Sequence, residues 1–297
     1  MVRILIPPGI GDAYWVLVKL PAFLKRNGLS NPELTVLSRE TYGNSHLRSL
    51  PFLQMFDFVS VGTPQFTPNT DAVQSVCNEA YLGPGRSIFQ DVLGYDYFIA
   101  YNGRINSGGW IEDDDIECNW YPEFNFDLES IAAKFRSEIG PYAVLSWLFA
   151  GSFQSHMADF PIPQIAEALN SFLSKTNLTP VFTGADWDIV GPDDTVRQLA
   201  RMIPGSIDLI GKTSLQDSFG LLKVSEIVTG YHAGLTNIAA VFGIKTLLLW
   251  DDRYPESTSW ACVPPKARRS NYSAIKTKGL TPDKYSSALS DLYNSTS

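Results

Sequence analysis

The chain has 297 residues, 44% of them hydrophobic and 18% charged, and carries a formal net charge of −8. That length and apolar content suit two α/β layers or one large domain and exclude a single small module. The acidic balance argues against nucleic acid and anionic membrane surfaces as partners, since both are bound through clustered Lys and Arg. Lys266, Arg268 and Arg269 form the one basic cluster, too short for a polybasic anchor.

Cys77, Cys118 and Cys262 are widely spaced and match no C-x-x-C or zinc pattern, so no metal site is expected from them. The chain opens on an apolar strand without the regions of a signal peptide, and no apolar run approaches the ~20 residues of a membrane span. The expected setting is therefore a reducing cytoplasm, with no transmembrane segment.

In chain order, Val2 to Ile6 reads as a strand, Pro7 to Gly11 as a loop, and about Asp12 to Arg26 as a helix. Leu34 to Leu37, Phe58 to Val61 and Tyr97 to Ala100 are the next strands. The segment Tyr101 to Asp127 breaks the rhythm with Gly103, Gly108, Gly109 and the acidic run Glu112 to Glu117, and reads as an irregular loop. Consecutive carboxylates on a loop form no defined ligand cage, so that run reads as a solvated segment.

A fresh series starts near Pro141. Ala143 to Trp147 is a strand, Ile165 to Leu173 a helix, Pro180 to Thr183 a strand, and Val196 to Met202 a helix. Ile207 to Ile210 is a short strand, Leu215 to Val224 a helix, and Glu226 to Thr229 a buried strand ending in a tight turn at Gly230. The next helix has Leu235, Ile238, Ala239 and Phe242 on its apolar face and a stop at Gly243, and Thr246 to Trp250 is a strand. Thr281 as N-cap, Pro282 and Asp283 announce a last helix. Strands alternating with helices imply mostly parallel, doubly wound sheets, here in two consecutive halves that part near Ser137 to Pro141.

Four constellations could carry chemistry. In IPPGIGDAYW, Gly9 and Gly11 allow a tight turn and Asp12 stands at the helix start, at the carboxyl edge of a sheet where open α/β folds bind ligands. On the residues alone, Asp12 as a cap comes first. In VFTGADWD, Gly184 ends a strand and Asp186 follows it, placed to accept from ribose hydroxyls or to lie solvated in a loop. In IGKTSLQD, Ser214 and Asp217 fit a capping box, while Lys212 and Thr213 bring a cation and a hydroxyl to a helix start. In YHAGLTN, His232, Ala233, Gly234, Thr236 and Asn237 crowd a helix start, where unpaired N–H groups and a positive dipole end suit a diphosphate.

The order of IGDAYWVLVKLPAFLKR, GADWD, GKTSLQDSFGLL and HAGLTNIAAVFGIKTLLLW resembles glycosyltransferase family 9, the ADP-heptose heptosyltransferases. The resemblance covers much of the C-terminal half and only the opening of the N-terminal half. It implies a GT-B fold of two Rossmann-like domains facing a cleft: an acceptor domain over 1–140, a nucleotide-sugar domain over 141–280, and a terminal helix over 281–297 packing back on the first.

Carried over residue by residue, the resemblance makes Asp12, directly after Gly11, the general base, and implies donor contacts at Gly11, Gly184 and Asp186, with Asp186 at the ribose. Lys212, Thr213 and Ser214 then lie at the nucleotide and His232 to Asn237 at the diphosphate. The implied activity is inverting, metal-independent transfer of a sugar, heptose among the candidates, from a nucleotide diphosphate sugar to a glycan or lipid-linked saccharide. The donor is a co-substrate and no cofactor is implied.

Two departures stand out. The family usually has Asp where this chain has His232, and a Lys before a Trp-Pro where this chain has HMADFP, His156 to Pro161. The missing lysine supplies the rival reading, a degenerate nucleotide- or glycan-binding protein. A sugar-nucleotide epimerase is the further alternative.

Overall fold

The computed structural model describes residues 1–6, 9–39, 47, 49–67, 95–98, 104–105, 109–110, 123–146, 160–184, 195–231, 233–250 and 271–295. At positions 12, 15, 18–19, 22, 38–39, 66–67, 97–98, 104–105, 109–110, 146 and 195–196 it describes the backbone alone. Contacts divide the chain into Met1–Phe126 and Asp127–Ser297. Both units are α/β with parallel main sheets, the fold class expected from the sequence.

In the first unit β1 (Val2–Ile6) leads into helix α1 (Ile10–Asn27) and β2 (Pro32–Arg39), followed by α2 (Ser49–Leu53), β3 (Ser60–Val61) and β4 (Gln65–Thr67). Strand β5 (Tyr97–Phe98) then returns to β1, giving the parallel order β3-β2-β1-β5, and β4 pairs in parallel with the end of β2. α1 forms because Ala13, Val16, Leu17, Leu20 and Phe23 recur at helical spacing, and all five are buried. It starts at Ile10, two residues ahead of the expected Asp12, with Gly9 as its N-cap. A small antiparallel pair, β6 (Arg104–Ile105) with β7 (Gly109–Trp110), lies in the segment expected to be irregular throughout.

The second unit opens with α3 (Leu128–Ile139), whose N-cap Asp127 accepts the Ser130 N–H at 2.9 Å. The expected domain boundary near 137–141 fell inside or after this helix. Its apolar residues Ile131, Ala132 and Phe135 instead belong with the second unit, because α3 packs on α6 below. Then come β8 (Tyr142–Ser146), α4 (Ile162–Leu173), β9 (Thr179–Phe182), α5 (Thr195–Met202) and β10 (Ile207–Asp208). They are followed by α6 (Leu215–Lys223), β11 (Ile227–Tyr231), α7 (Gly234–Val241), β12 (Thr246–Trp250), β13 (Tyr272–Lys276) and α8 (Pro282–Asn294). The sheet order is β10-β9-β8-β11-β12-β13, parallel throughout.

This is the doubly wound order in which the chain runs outward from β8 in one direction and then restarts beside it at β11. Side chains alternate between the two faces. Ala143, Leu145, Phe182, Tyr231, Leu247 and Leu249 join Ile165, Leu169 and Phe172 of α4 and Tyr285 and Leu289 of α8 in one large core. On the other face Leu248 and Trp250 pack with Ala240 of α7.

One feature corrects the sequence expectations. Gly230 is not a turn: it pairs with Ser146 and Leu248 inside β11, which runs on to Tyr231 because ladders hold it on both sides. The terminal helix buries Tyr285, Ser286 and Leu289 in the second unit, against α4 and β12. Its capping by Thr281, which accepts the Lys284 N–H, is as expected.

Two polar ties cross the second unit's layers. Thr229 Oγ1 gives its proton to Leu247 O at 2.8 Å and lies 2.6 Å from the Tyr285 hydroxyl, so the tyrosine is the donor between them. Tyr142 donates to Leu221 O at 2.6 Å. Both phenols are buried, and desolvation of the phenolate pushes both well above the usual tyrosine range.

Above pH ~10, therefore, the unfolded chain loses these protons while the folded chain keeps them, and stability falls as pH rises, by up to about 1.4 kcal/mol per pH unit for each phenol. Urea unfolding between neutral and strongly alkaline pH should show this slope in the wild type and a shallower one in Tyr285→Phe. A second outcome concerns the α3–α6 contact. A side chain at Gly220 would meet Ile131 and, at 3.2 Å, the backbone N of Ala132. Gly220→Val should lower the unfolding free energy by about 1–3 kcal/mol, read from the same titration at neutral pH.

Candidate functional site

Parallel strands bring every following helix start to the carboxyl edge of the sheet, and the point where strand order reverses is where open α/β sheets leave room for a ligand. In the second unit that point lies between β8 and β11, and the chain leaving β11 there becomes α7. Ala233 is the N-cap, with extended backbone (φ −148°, ψ 167°). The first i→i−4 bond of the helix runs from Asn237 N–H to Ala233 O at 3.1 Å. The N–H groups of Gly234, Leu235 and Thr236 precede that ladder, at the positive end of the helix dipole.

The polar side chains of this turn behave differently from each other. Thr236 is fully buried and its hydroxyl is committed within the turn: it accepts the Ala233 N–H at 3.0 Å and reaches Ala233 O at 2.8 Å and Tyr231 O at 3.2 Å. Its side chain thus caps the turn. Asn237 is 2% exposed and its Oδ1 has no hydrogen-bond partner among the described residues. His232 lies outside the described residues.

The second cluster forms around β9 and β10. Gly184 O accepts the Gly211 N–H at 2.8 Å, which joins the end of the VFTG strand to the GKTS turn as one surface. Gly211 has φ 70°, a left-handed conformation that a side chain would strain. Lys212 donates to Asp208 O at 2.7 Å and lies 3.8 Å from its carboxylate. Thr213 Oγ1 is 2.9 Å from Ser218 Oγ. Ser214 forms the capping box with Asp217, accepting its N–H at 3.0 Å while the Asp217 carboxylate accepts the Ser214 N–H at 3.2 Å. The purely structural account of Ser214 is thus realised, and Lys212 and Thr213 also have partners within the turn. Asp186 lies outside the described residues.

In the first unit, α1 leaves the carboxyl end of β1, which sits between β2 and β5 where that sheet's order reverses. Gly11 and Asp12 occupy the second and third positions of the helix. Asp12 is therefore not the N-cap, a place taken by Gly9, but a first-turn residue; its side chain lies outside the description. One residue that the sequence reading passed over is Thr183. It is fully buried at the end of β9, and its hydroxyl has no hydrogen-bond partner among the described residues. Among the described residues no group of three or more His, Cys, Asp or Glu could hold a metal ion, and no helix is long and apolar enough to cross a membrane.

Neither a protein-family model nor a characterised protein sequence matches the chain. Solved structures do match its fold. The ADP-heptose lipopolysaccharide heptosyltransferase II of E. coli is 12% identical, covers 99% of this chain and 98% of its own, and has a TM-score of 0.60. A glycosyltransferase family 9 protein from Veillonella parvula is 10% identical over 98% of this chain and 96% of its own, with a TM-score of 0.62. The UDP-GlcNAc 2-epimerase of Methanocaldococcus jannaschii is 10% identical over 99% and 93%, with a TM-score of 0.51. At these identities the likeness is one of fold, and that fold serves transferases and an epimerase alike.

The hydrogen bonding of the GKTS turn makes a definite prediction. Ser214→Ala removes the N-cap acceptor and should lower stability by about 1 kcal/mol in thermal unfolding. If capping is its whole role, nucleotide affinity measured by calorimetry stays within about twofold of the wild type.

Proposed function

We propose that the chain is an inverting glycosyltransferase that uses a nucleotide diphosphate sugar and no metal. The observation that carries this reading is the start of α7 at the strand-order reversal of the second sheet, where three backbone N–H groups precede the helical ladder. Such an end favours a dianionic leaving group, and His232 beside it would add a cation in its protonated form. The Gly184–Gly211 surface at β9 and β10 would take the nucleoside end, with Asp186 at the ribose.

In the proposed reaction Asp12 removes the proton of an acceptor hydroxyl, and the oxygen attacks the anomeric carbon in line. The bond from that carbon to the diphosphate oxygen breaks, and the nucleoside diphosphate departs onto the α7 amides, which stabilise the developing charge. The likeness to heptosyltransferases favours a heptose or hexose as the transferred sugar and a glycan or lipid-linked saccharide as acceptor, in a cytoplasmic setting. Two rivals share the fold: a non-catalytic nucleotide- or glycan-binding homologue, favoured by the absence of the family lysine before Phe160, and an epimerase.

A thermal-shift screen with ADP-, UDP-, GDP- and dTDP-sugars tests donor binding, since a ligand of the folded state raises the melting temperature. With the best donor, Asp12→Asn should lower turnover by ~100-fold or more while donor affinity stays near the wild type. Donor binding without sugar transfer to any acceptor would support the binding-protein rival, and conversion of the donor to its 2-epimer would support the epimerase. An Asp12→Asn enzyme as active as the wild type removes the proposed base.

A further inference from the structure

Thr183 continues β9 by one residue: its N–H donates to Leu145 O at 3.5 Å, one step past the Leu145–Phe182 pair. Since Ser146 pairs with Gly230, the residues Thr183, Ser146 and Gly230 stand in one row across the carboxyl edge of the sheet. Phe182, Leu145 and Leu247 face α4 and α8 in the large core. Alternation puts Thr183 on the opposite face, in the row of Leu248, which packs on α7. Helices α6 and α7 begin at this same edge, and Gly230 adds no side chain to the row.

The Thr183 hydroxyl is enclosed and without a partner among the described residues, a condition that costs about 1–3 kcal/mol and calls for either an ordered water or a group that arrives with a ligand. Strands lie ~4.8 Å apart, and β9 is two strands from β11, so Thr183 is displaced roughly 10 Å along the edge from the start of α7. That displacement matches the reach from a diphosphate to the nucleoside of the same molecule.

We propose that Thr183 is a nucleoside contact of the donor site. The inference rests on the reading that a diphosphate occupies the start of α7. A hydroxyl can both donate and accept, which suits a ribose hydroxyl or the polar edge of a base. The unliganded chain bears the cost of the unpaired group, and the bound nucleoside relieves it.

The test is calorimetry of wild type, Thr183→Val and Thr183→Ser with ADP and UDP, adenosine and uridine, and inorganic pyrophosphate, together with the ligand-free melting temperatures. Valine keeps the shape and removes the hydroxyl, so the ligand-free variant should melt at or above the wild-type temperature. It should bind the preferred nucleoside diphosphate and its nucleoside more weakly by the same factor, about 3- to 10-fold, and pyrophosphate unchanged. Thr183→Ser should restore most of the loss. Wild-type binding of the nucleoside diphosphate with equal affinity in Thr183→Val assigns the hydroxyl to a buried water and overturns the proposal. A loss seen with pyrophosphate but not with nucleoside overturns it too. If the wild type itself binds none of these ligands, the reading of the α7 site falls, and this inference with it.

Discussion

The arrangement of this protein follows from one constraint: the main strands of both sheets are parallel. A parallel pair cannot be closed by a hairpin, so each strand must be followed by a crossover, and each crossover helix starts at the same edge of the sheet. In the second unit α6 and α7 therefore begin at one edge, and so does the turn that links Gly184 to Gly211. The same edge gathers the positive ends of helices, the glycines and the buried polar atoms of Asn237 and Thr183. None of these positions needs a ligand to explain its place in the fold. Their coincidence at the reversal of strand order gives the site its chemical character.

The packing beneath that edge is apolar and tightly specified. The large core joins two layers, the sheet and the pair α4 and α8 on one of its faces, and the Tyr285–Thr229–Leu247 chain of hydrogen bonds fastens the last helix to two central strands. The Thr229 and Tyr285 hydroxyls are tolerable there because each has an acceptor, Leu247 O for the threonine and the threonine oxygen for the tyrosine. On the opposite face α3 and α6 approach so closely at Gly220 that the contact admits no side chain. The exposed pairs beside it, Arg136 with Glu226 at 2.6 Å and Lys223 with Glu129 at 3.5 Å, add little to that steric fit.

Much of this was legible in the sequence where the signal was local. β1 and β12 were read to the residue, since short apolar runs bounded by turn residues have few alternatives. The α7 helix was legible from the spacing of its apolar positions and from its stop at Gly243, which takes φ 74°. The capping box at Ser214 and Asp217 was legible as chemistry, because its geometry lies within one turn. What failed was what depends on neighbours. Gly230 carries the turn signature of glycine, but ladders on both sides keep it in a strand. β13 and α3 were missed: the alternation of Tyr272–Lys276 is weak without β12 beside it, and α3 was obscured by the restart of the βα rhythm just after it. At the site, sequence could name Thr236 as polar but not tell that its hydroxyl turns inward. It could not single out Thr183 at all, because an unpaired hydroxyl is a property of the surroundings.

The pairing of β8 with β11 also bears on how the chain folds. It joins Ala143 to Ile227, two positions separated by three helices and two strands, so it closes a long loop that the local βα units do not need. Closing such a loop carries an entropic cost that grows with its length, and contacts of this kind slow folding. The outer strands on either side can assemble from near neighbours first. The edge at which α7 begins, the proposed place of the diphosphate, is then created by the least local step of assembly, so a nascent chain acquires it only after its residues through Tyr231 have joined the sheet.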